Sequence, residues 1–302
     1  MELCPLQGQC MSLFQRILFP FDFSEPAKGL AAPVAAMARR FEASVDILSC
    51  FHFAPDYVVA PRFQEREAGR PAAIPYTPEV QELRRQQAQE LDRFAGAALA
   101  GIHWTARVED GDPAQAIEWV VRHEKTDLIM MPTRGVGRFR RLLLGSVTAK
   151  VLHDVECPVW TSVHGADDGM PAPTGYRSIL CAVSMGWASE ATLRMAGRFA
   201  RAWGAQLCLL HIDSLRQSES ERSAVDSLRR AYEEAMGTEV PGELPRMRIL
   251  DAPVPEGIRH VAVEEGADLL IIGRGHFRGD LARAWSHVYE VIRESACPVL
   301  SV

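Results

Sequence analysis

The chain has 302 residues, a net charge of −6, 47% apolar and 24% charged residues. That length suits two hydrophobic cores rather than one. The acidic balance excludes a general nucleic-acid binder, which needs a basic surface to neutralise phosphates. No apolar run approaches the length of a membrane span, and no leader pattern opens the chain. The seven cysteines are scattered, with no Cys-x-x-Cys pair or His cluster at metal-ligand spacing. The expectation is a reduced, cytoplasmic protein without membrane or nucleic-acid partners.

Residues 1–15 read as an N-terminal extension without periodicity, and disorder is expected there. Arg16 to Pro20 is a short apolar strand that runs into Phe21-Asp22-Phe23-Ser24. Ser24 can cap the helix read over Glu25 to Phe41, where Leu30, Val34, Met37 and Phe41 recur at helical spacing. Val45 to Phe53 is the next strand, followed by a proline-rich connection over Ala54 to Pro78. Glu79 to Leu99 reads as an amphipathic helix and Trp104 to Glu109 as a strand. Ala114 to Glu124 reads as a helix, with Asp112 at its N-cap and Pro113 in its first turn.

Leu128 to Met131 is an apolar run expected to be a strand buried on both faces. It runs into Pro132-Thr133-Arg134-Gly135-Val136-Gly137, a glycine loop with basic neighbours. Gly145-Ser146 and the helical stretch Val147-Thr148-Ala149-Lys150 come next. A strand, a glycine loop and a helix start are how a parallel sheet holds a phosphate: glycine lets the backbone approach, and the helix N-terminus offers free N–H groups. The alternative is a plain turn and a helix start with Ser146 as N-cap. Arg134, Arg138, Arg140 and Arg141 either steer phosphates or form a solvated face. Cys157 to Thr161 closes the first half as a strand.

His164 to Gly175 is a linker rich in Gly, Pro and Asp, and the second half of the chain repeats the first. Ser178 to Ser184 matches Arg16 to Asp22, Leu207 to Ile212 matches the second strand, and Ala267 to Gly273 matches Thr126 to Pro132. Cys297-Pro298-Val299 matches Cys157-Pro158-Val159. The domains read as 16–163 and 176–302. In the second, Ser184 replaces Asp22, the loop Gly273-Arg274-Gly275-His276 is one residue shorter, and Trp285-Ser286 replaces Gly145-Ser146.

The spacing from Gly135 through nine residues to Gly145-Ser146, with the Asp-Phe-Ser end of the first strand and the duplicated Cys-Pro-Val, resembles the universal stress protein family. Its ATP-binding members carry Gly-x-x-Gly, nine residues, then Gly-Ser or Gly-Thr. Pro132 stands here in place of the first glycine and lacks an N–H donor. The resemblance implies two tandem flavodoxin-like or adenine-nucleotide-hydrolase-like α/β domains, each a five-stranded, mainly parallel sheet flanked by helices. It implies ATP, with or without Mg²⁺, in the first domain only. Pro20, Phe21 and Asp22 would lie beside the nucleoside, the Cys50 backbone would meet adenine, and Met131 would pack near the ribose. Pro132, Thr133, Arg134, Gly135, Gly145, Ser146, Val147 and Thr148 would surround the phosphates. Phe21 either stacks on a ring or blocks it, and Asp22 either accepts from the nucleoside or caps the helix.

The last strands, Pro158 to Thr161 and Pro298 to Ser301, are expected to pair as a pseudo-dimer within the chain, as single domains of the family dimerise. A homodimer of the whole chain and a protein partner are further expectations. The function so implied is a stress-response regulatory or sensor protein. An interaction scaffold without nucleotide is one alternative and a slow ATPase another. The sequence offers no general base and no Gly-x-x-x-x-Gly-Lys loop to support catalysis.

Overall fold

The structure is a computed structural model and describes residues 12–51, 77–134, 144–162, 174–184, 189–212, 221–240, 243–274 and 281–302, with the backbone alone at 221 and 281–286. In the first half, β1 (Arg16–Pro20), β2 (Ser44–Phe51), β3 (Trp104–Asp110), β4 (Leu128–Pro132) and β5 (Val159–Ser162) lie parallel in the order β3-β2-β1-β4-β5. In the second, β6 (Ser178–Val183), β7 (Gln206–Ile212), β8 (Arg246–Leu250), β9 (Leu269–Ile272) and β10 (Val299–Ser301) repeat that order. β5 and β10 pair antiparallel, Trp160 opposite Leu300, so the halves share one sheet of ten strands. The expected pairing of the last strands within the chain is therefore present. It covers two strand edges that would otherwise expose unpaired backbone.

Because β4 returns to the other side of β1, helices fall on both faces. α1 (Glu25–Gly29), α2 (Ala31–Phe41) and α3 (Pro78–Ala98) cover one, with α6 (Glu190–Trp203) and α7 (Glu221–Met236). α4 (Pro113–His123), α5 (Ser146–Asp154), α8 (Val254–Glu264) and α9 (Leu281–Glu294) cover the other. Two hydrophobic cores result, one on each face, and each spans both halves. β4 is buried at every position, as its uninterrupted apolar run requires.

The repeat extends to backbone detail. Asp127 accepts from the Gln15 and Arg16 amides, and Asp268 accepts from the equivalent Arg177 and Ser178 amides, so each carboxylate ties the start of one central strand to its neighbour. The chain turns left-handed after α2 at Glu42 (φ 54°), and Gly204 (φ 65°) takes that conformation after α6. Glycine removes a Cβ penalty there that Glu42 carries.

Two features differ from the sequence reading. The single helix expected over Glu25 to Phe41 is broken at Leu30. Pro33 has no N–H to donate to the Gly29 carbonyl, and its ring crowds that oxygen, so the turn opens one step earlier. Phe14, assigned to the extension, is buried in the core against Phe41 at 5.2 Å between ring centroids.

The joint between halves rests on aromatic packing. Trp160 is fully buried and its Nε1 donates to the Tyr176 hydroxyl at 3.0 Å. Phe41 of α2 meets Phe199 and Trp203 of α6 at 6.0 and 6.4 Å. Trp160→Ala should cost about 3–5 kcal/mol of unfolding free energy in a urea titration. Leu83→Ala, at a side chain 47% exposed, should stay within about 0.5 kcal/mol of wild type.

Candidate functional site

The sheet order reverses between β1 and β4, and open α/β sheets leave a crevice at the carboxyl end of such a switch point. The ends of both strands lead to it: Pro20-Phe21-Asp22 from β1 and Pro132-Thr133-Arg134 from β4. Gly145 and the first turn of α5 stand beside β4. The Gly145 N–H donates to the Thr133 carbonyl at 2.8 Å, and the Thr148 hydroxyl donates to the Pro132 carbonyl at 3.1 Å. Thr133 is tied in turn to β5, its N–H and hydroxyl both donating to the Ser162 carbonyl at 3.0 and 3.2 Å. The helix start is thus fixed to the end of its own strand.

That anchoring decides which donors are available. The Gly145 N–H is engaged by Thr133. The first intrahelical bond runs from Ala149 N–H to the Gly145 carbonyl at 2.8 Å, so the N–H groups of Ser146, Val147 and Thr148 have no intrahelical acceptor. Their number and direction, with the positive end of the helix dipole, suit an anion. Gly145, not Ser146, is the N-cap residue. A Cβ at Gly145 would lie 3.2 Å from the Thr133 carbonyl oxygen, so the close approach of helix start to strand end favours glycine. Ser146 is exposed, Val147 half-buried, and Thr148 buried with its hydroxyl committed to Pro132.

Other expected site residues fall into two groups. Met131 is buried in the core beneath the crevice, and Cys50 is half-buried beside it. The Cys50 carbonyl accepts from Gln87 Nε2 at 3.4 Å. Burial first, then Glu109 and Asp112, pushes the Cys50 thiol up to about 12, so it is not a nucleophile at neutral pH. Arg134 is half-exposed at the point where the loop leaves the sheet. Gly135, like Arg138, Arg140 and Arg141, lies outside the described residues.

Phe21 is the main departure. Its side chain is 2% exposed and stacks on Phe94 of α3 at 4.2 Å, with edge contacts to Phe19 and Phe23. It belongs to the core on the α3 face and does not present a ring to the crevice. Asp22 is exposed and accepts from both the N–H and hydroxyl of Ser24, and Ser24 accepts from Ala27 N–H as N-cap of α1. The helix-capping alternative therefore describes a bond that Asp22 and Ser24 make. Asp112 caps α4 as expected, accepting from Gln115 N–H at 2.9 Å, and also meets Lys150 Nζ of α5 at 3.3 Å. The role of Lys150 as a cation bridging two helix starts was not read from the sequence; its only signal there is the position one turn after Ser146.

The equivalent crevice of the second half is built differently. Trp285, which the repeat aligns with Gly145, lies inside α9, whose first residue is Leu281. The helix extends about one turn further than α5 at this end, so its N-terminus is not at the aligned position. Gly273, which aligns with Pro132, is capped by Thr192 of α6: a Cβ there would meet Thr192 Oγ1 at 2.7 Å. His276 lies outside the described residues.

The pattern of the Universal stress protein family matches residues 13–162 and again 175–302. The chain belongs to the universal stress protein family. A Thermus aquaticus protein, "Universal stress protein in QAH/OAS sulfhydrylase 3'region", is 34% identical over 148 residues, which are 49% of this chain and 97% of that one. A Methanocaldococcus jannaschii relative, "Universal stress protein MJ0531", is 28% identical over 150 residues, 49% of this chain and 81% of its own. Both span about one repeat. Across both repeats, a crystal structure of a universal stress protein from Archaeoglobus fulgidus superimposes with a TM-score of 0.69, covering 96% of this chain and 97% of that one at 21% identity. That likeness establishes the tandem fold. Among the described residues no helix is long and apolar enough to cross a membrane, and no group of three acidic, His or Cys side chains could hold a metal.

Thr148→Val should cost about 1 kcal/mol in a urea titration, because it removes the hydroxyl that joins α5 to the Pro132 carbonyl while keeping the side-chain volume.

Proposed function

We propose that this universal stress protein is a regulatory nucleotide-binding protein, taking one adenine nucleotide, ATP in preference, at the β1/β4 crevice of its first half. The observation that carries the reading is the turn of three N–H groups at Ser146, Val147 and Thr148 that have no acceptor among the described residues, held against the end of β4 by the Gly145–Thr133 bond. Such a turn is an anion site by geometry and by dipole. The spacing from Gly135 to Gly145-Ser146, as in the ATP-binding members of the family, makes a phosphate chain the fitting anion.

The residues present divide the work. Ser146, Val147 and Thr148 donate N–H groups to phosphate oxygens, and the Ser146 hydroxyl adds a donor. Gly145 supplies closeness rather than a hydrogen bond. Arg134, at the end of β4, and Lys150, in α5, supply positive charge, Lys150 by exchanging part of its pairing with Asp112. The nucleoside lies toward Pro20, Asp22, Cys50 and Met131, with Phe21 holding the strand end from behind. Bound Mg²⁺ would neutralise phosphate charge, and Asp112, paired with Lys150, is an acidic side chain beside the helix start. Binding changes the surface around the loop and so the partners the protein meets. The second half, with Trp285 inside α9 and Thr192 over Gly273, serves as scaffold. Catalysis is not part of this reading, since no described side chain stands as an activated base.

Calorimetry with ATP, ADP and AMP in the presence of Mg²⁺ tests this. One site per chain at micromolar affinity, about −8 kcal/mol, is expected. Gly145→Trp should abolish it. Ser146→Pro is the cleaner variant. The first helical position tolerates proline, and Gly145 before it has φ −62° and ψ 144°, which a following proline accepts. It deletes the Ser146 N–H and hydroxyl and keeps the helix, so affinity should fall by about tenfold or more for the two lost donors. No heat for wild type up to millimolar ligand would favour a scaffold that binds protein partners without nucleotide.

A further inference from the structure

Arg274 is 7% exposed, yet among the described residues it has no carboxylate partner. Its guanidinium reaches out of the second half into the first. One terminal nitrogen donates to the carbonyls of Leu152 and Val155 at 3.1 and 2.7 Å. The other donates to those of Glu156 and Cys157 at 3.2 and 2.6 Å. Leu152 lies in the last turn of α5, and Val155 to Cys157 carry the chain on toward β5. A buried cation normally needs an anion; here four carbonyl dipoles and the negative end of α5 take that part. Burial lowers the pKa of Arg274, opposed by Cys157, but from a starting value so high that it remains charged.

The placement follows from the repeat. Arg274 N–H donates to the Val302 carbonyl at 2.8 Å just as Thr133 N–H donates to the Ser162 carbonyl, so Arg274 and Thr133 are equivalent positions. Thr133 holds the N-terminal end of α5 through its carbonyl, and Arg274 holds the C-terminal end of that same helix through its side chain. At the exit of α9, the Ser295 hydroxyl donates to the Cys297 carbonyl and accepts from Cys297 N–H. The helix whose N-terminus faces the crevice is thus clamped from the other half.

We propose that Arg274 is a positioning residue for the phosphate site, so that anion affinity in the first half depends on a side chain of the second. The proposal rests on the nucleotide reading above for its ligand, though not for its mechanics. α5 has nine residues and spans about 13 Å, too short to be stable by itself. With its exit fixed to Arg274, its first turn is held where Ser146, Val147 and Thr148 converge. Without that anchor the helix frays and the donors diverge. By linkage, nucleotide bound at one end strengthens the Arg274 contacts at the other.

The test uses the full chain with Arg274→Gln, Arg274→Lys and, as a control for loosening of the joint, Tyr176→Phe. Tyr176→Phe removes the partner of Trp160 Nε1 on the opposite face of the sheet and touches nothing in α5. ATP with Mg²⁺ is titrated by calorimetry, and amide hydrogen exchange at Ala149 is followed with and without it. The expected result is affinity weakened about fivefold or more by Arg274→Gln, partly restored by Arg274→Lys, and within about twofold of wild type in Tyr176→Phe even where melting temperatures fall alike. Unchanged affinity in Arg274→Gln overturns the proposal. If wild type binds no ATP, the nucleotide reading fails by itself and exchange decides. Faster exchange at Ala149 in Arg274→Gln, with strand β1 unaffected and Tyr176→Phe like wild type, supports the clamp; equal rates overturn it. Should Arg274→Gln not fold, Arg274→Lys, which keeps the charge and loses the fork, is read the same way.

Discussion

The antiparallel pairing of β5 with β10 is the constraint on which the rest of the molecule depends. Three residue pairs join there, Val159 with Ser301, Trp160 with Leu300 and Thr161 with Val299. So short a ladder contributes little by itself. Its consequence is that two edges disappear together and that each face of the sheet becomes continuous across the joint. Trp160 and Leu300 can then enter the same core as Phe14 and Phe199, and Leu152 the same core as Ile292. The halves do not merely touch; they complete each other's interiors.

Continuity also sets what each helix can do. α5 lies between β4 and β5 in the chain, so its N-terminus faces the crevice and its C-terminus faces the joint. Thr133 fixes the first and Arg274 the second. Neither bond is strong on the scale of the whole fold. Together they set the direction of a short helix whose value lies in its orientation, because three N–H groups bind an anion well only when they converge. The second anchor comes from the other half of the same chain. In this tandem it is covalently guaranteed.

Much of this was legible in the sequence. The uninterrupted run Leu128 to Met131 requires a strand buried on both faces, Ser24 and Asp112 announce helix starts, and the doubled Cys-Pro-Val marks the joint. These are local signals, and local chemistry enforces them. The break at Leu30 was missed because the apolar spacing runs through it unchanged; the proline that causes it lies three residues later. The face that Phe21 takes was left open for a different reason. A residue after a strand end can turn to either face, and what draws Phe21 away from the crevice is Phe94, more than seventy positions along the chain. Arg274 could not be read at all: in sequence it is one basic residue in a glycine-flanked loop, and its four acceptors lie 117 to 122 positions away.

The divergence of the two crevices has its origin in the same geometry. At the position equivalent to Thr133, the second half carries an arginine whose length spans the interface. Where Gly145 gives α5 a close start, the second half places Trp285 inside a longer helix. The charge that steadies α5 and the earlier start of α9 therefore belong to one loop-and-helix unit of the second half. Within the second half's glycine loop and following helix, the departures run from Arg274, in place of Thr133, to Trp285, in place of Gly145.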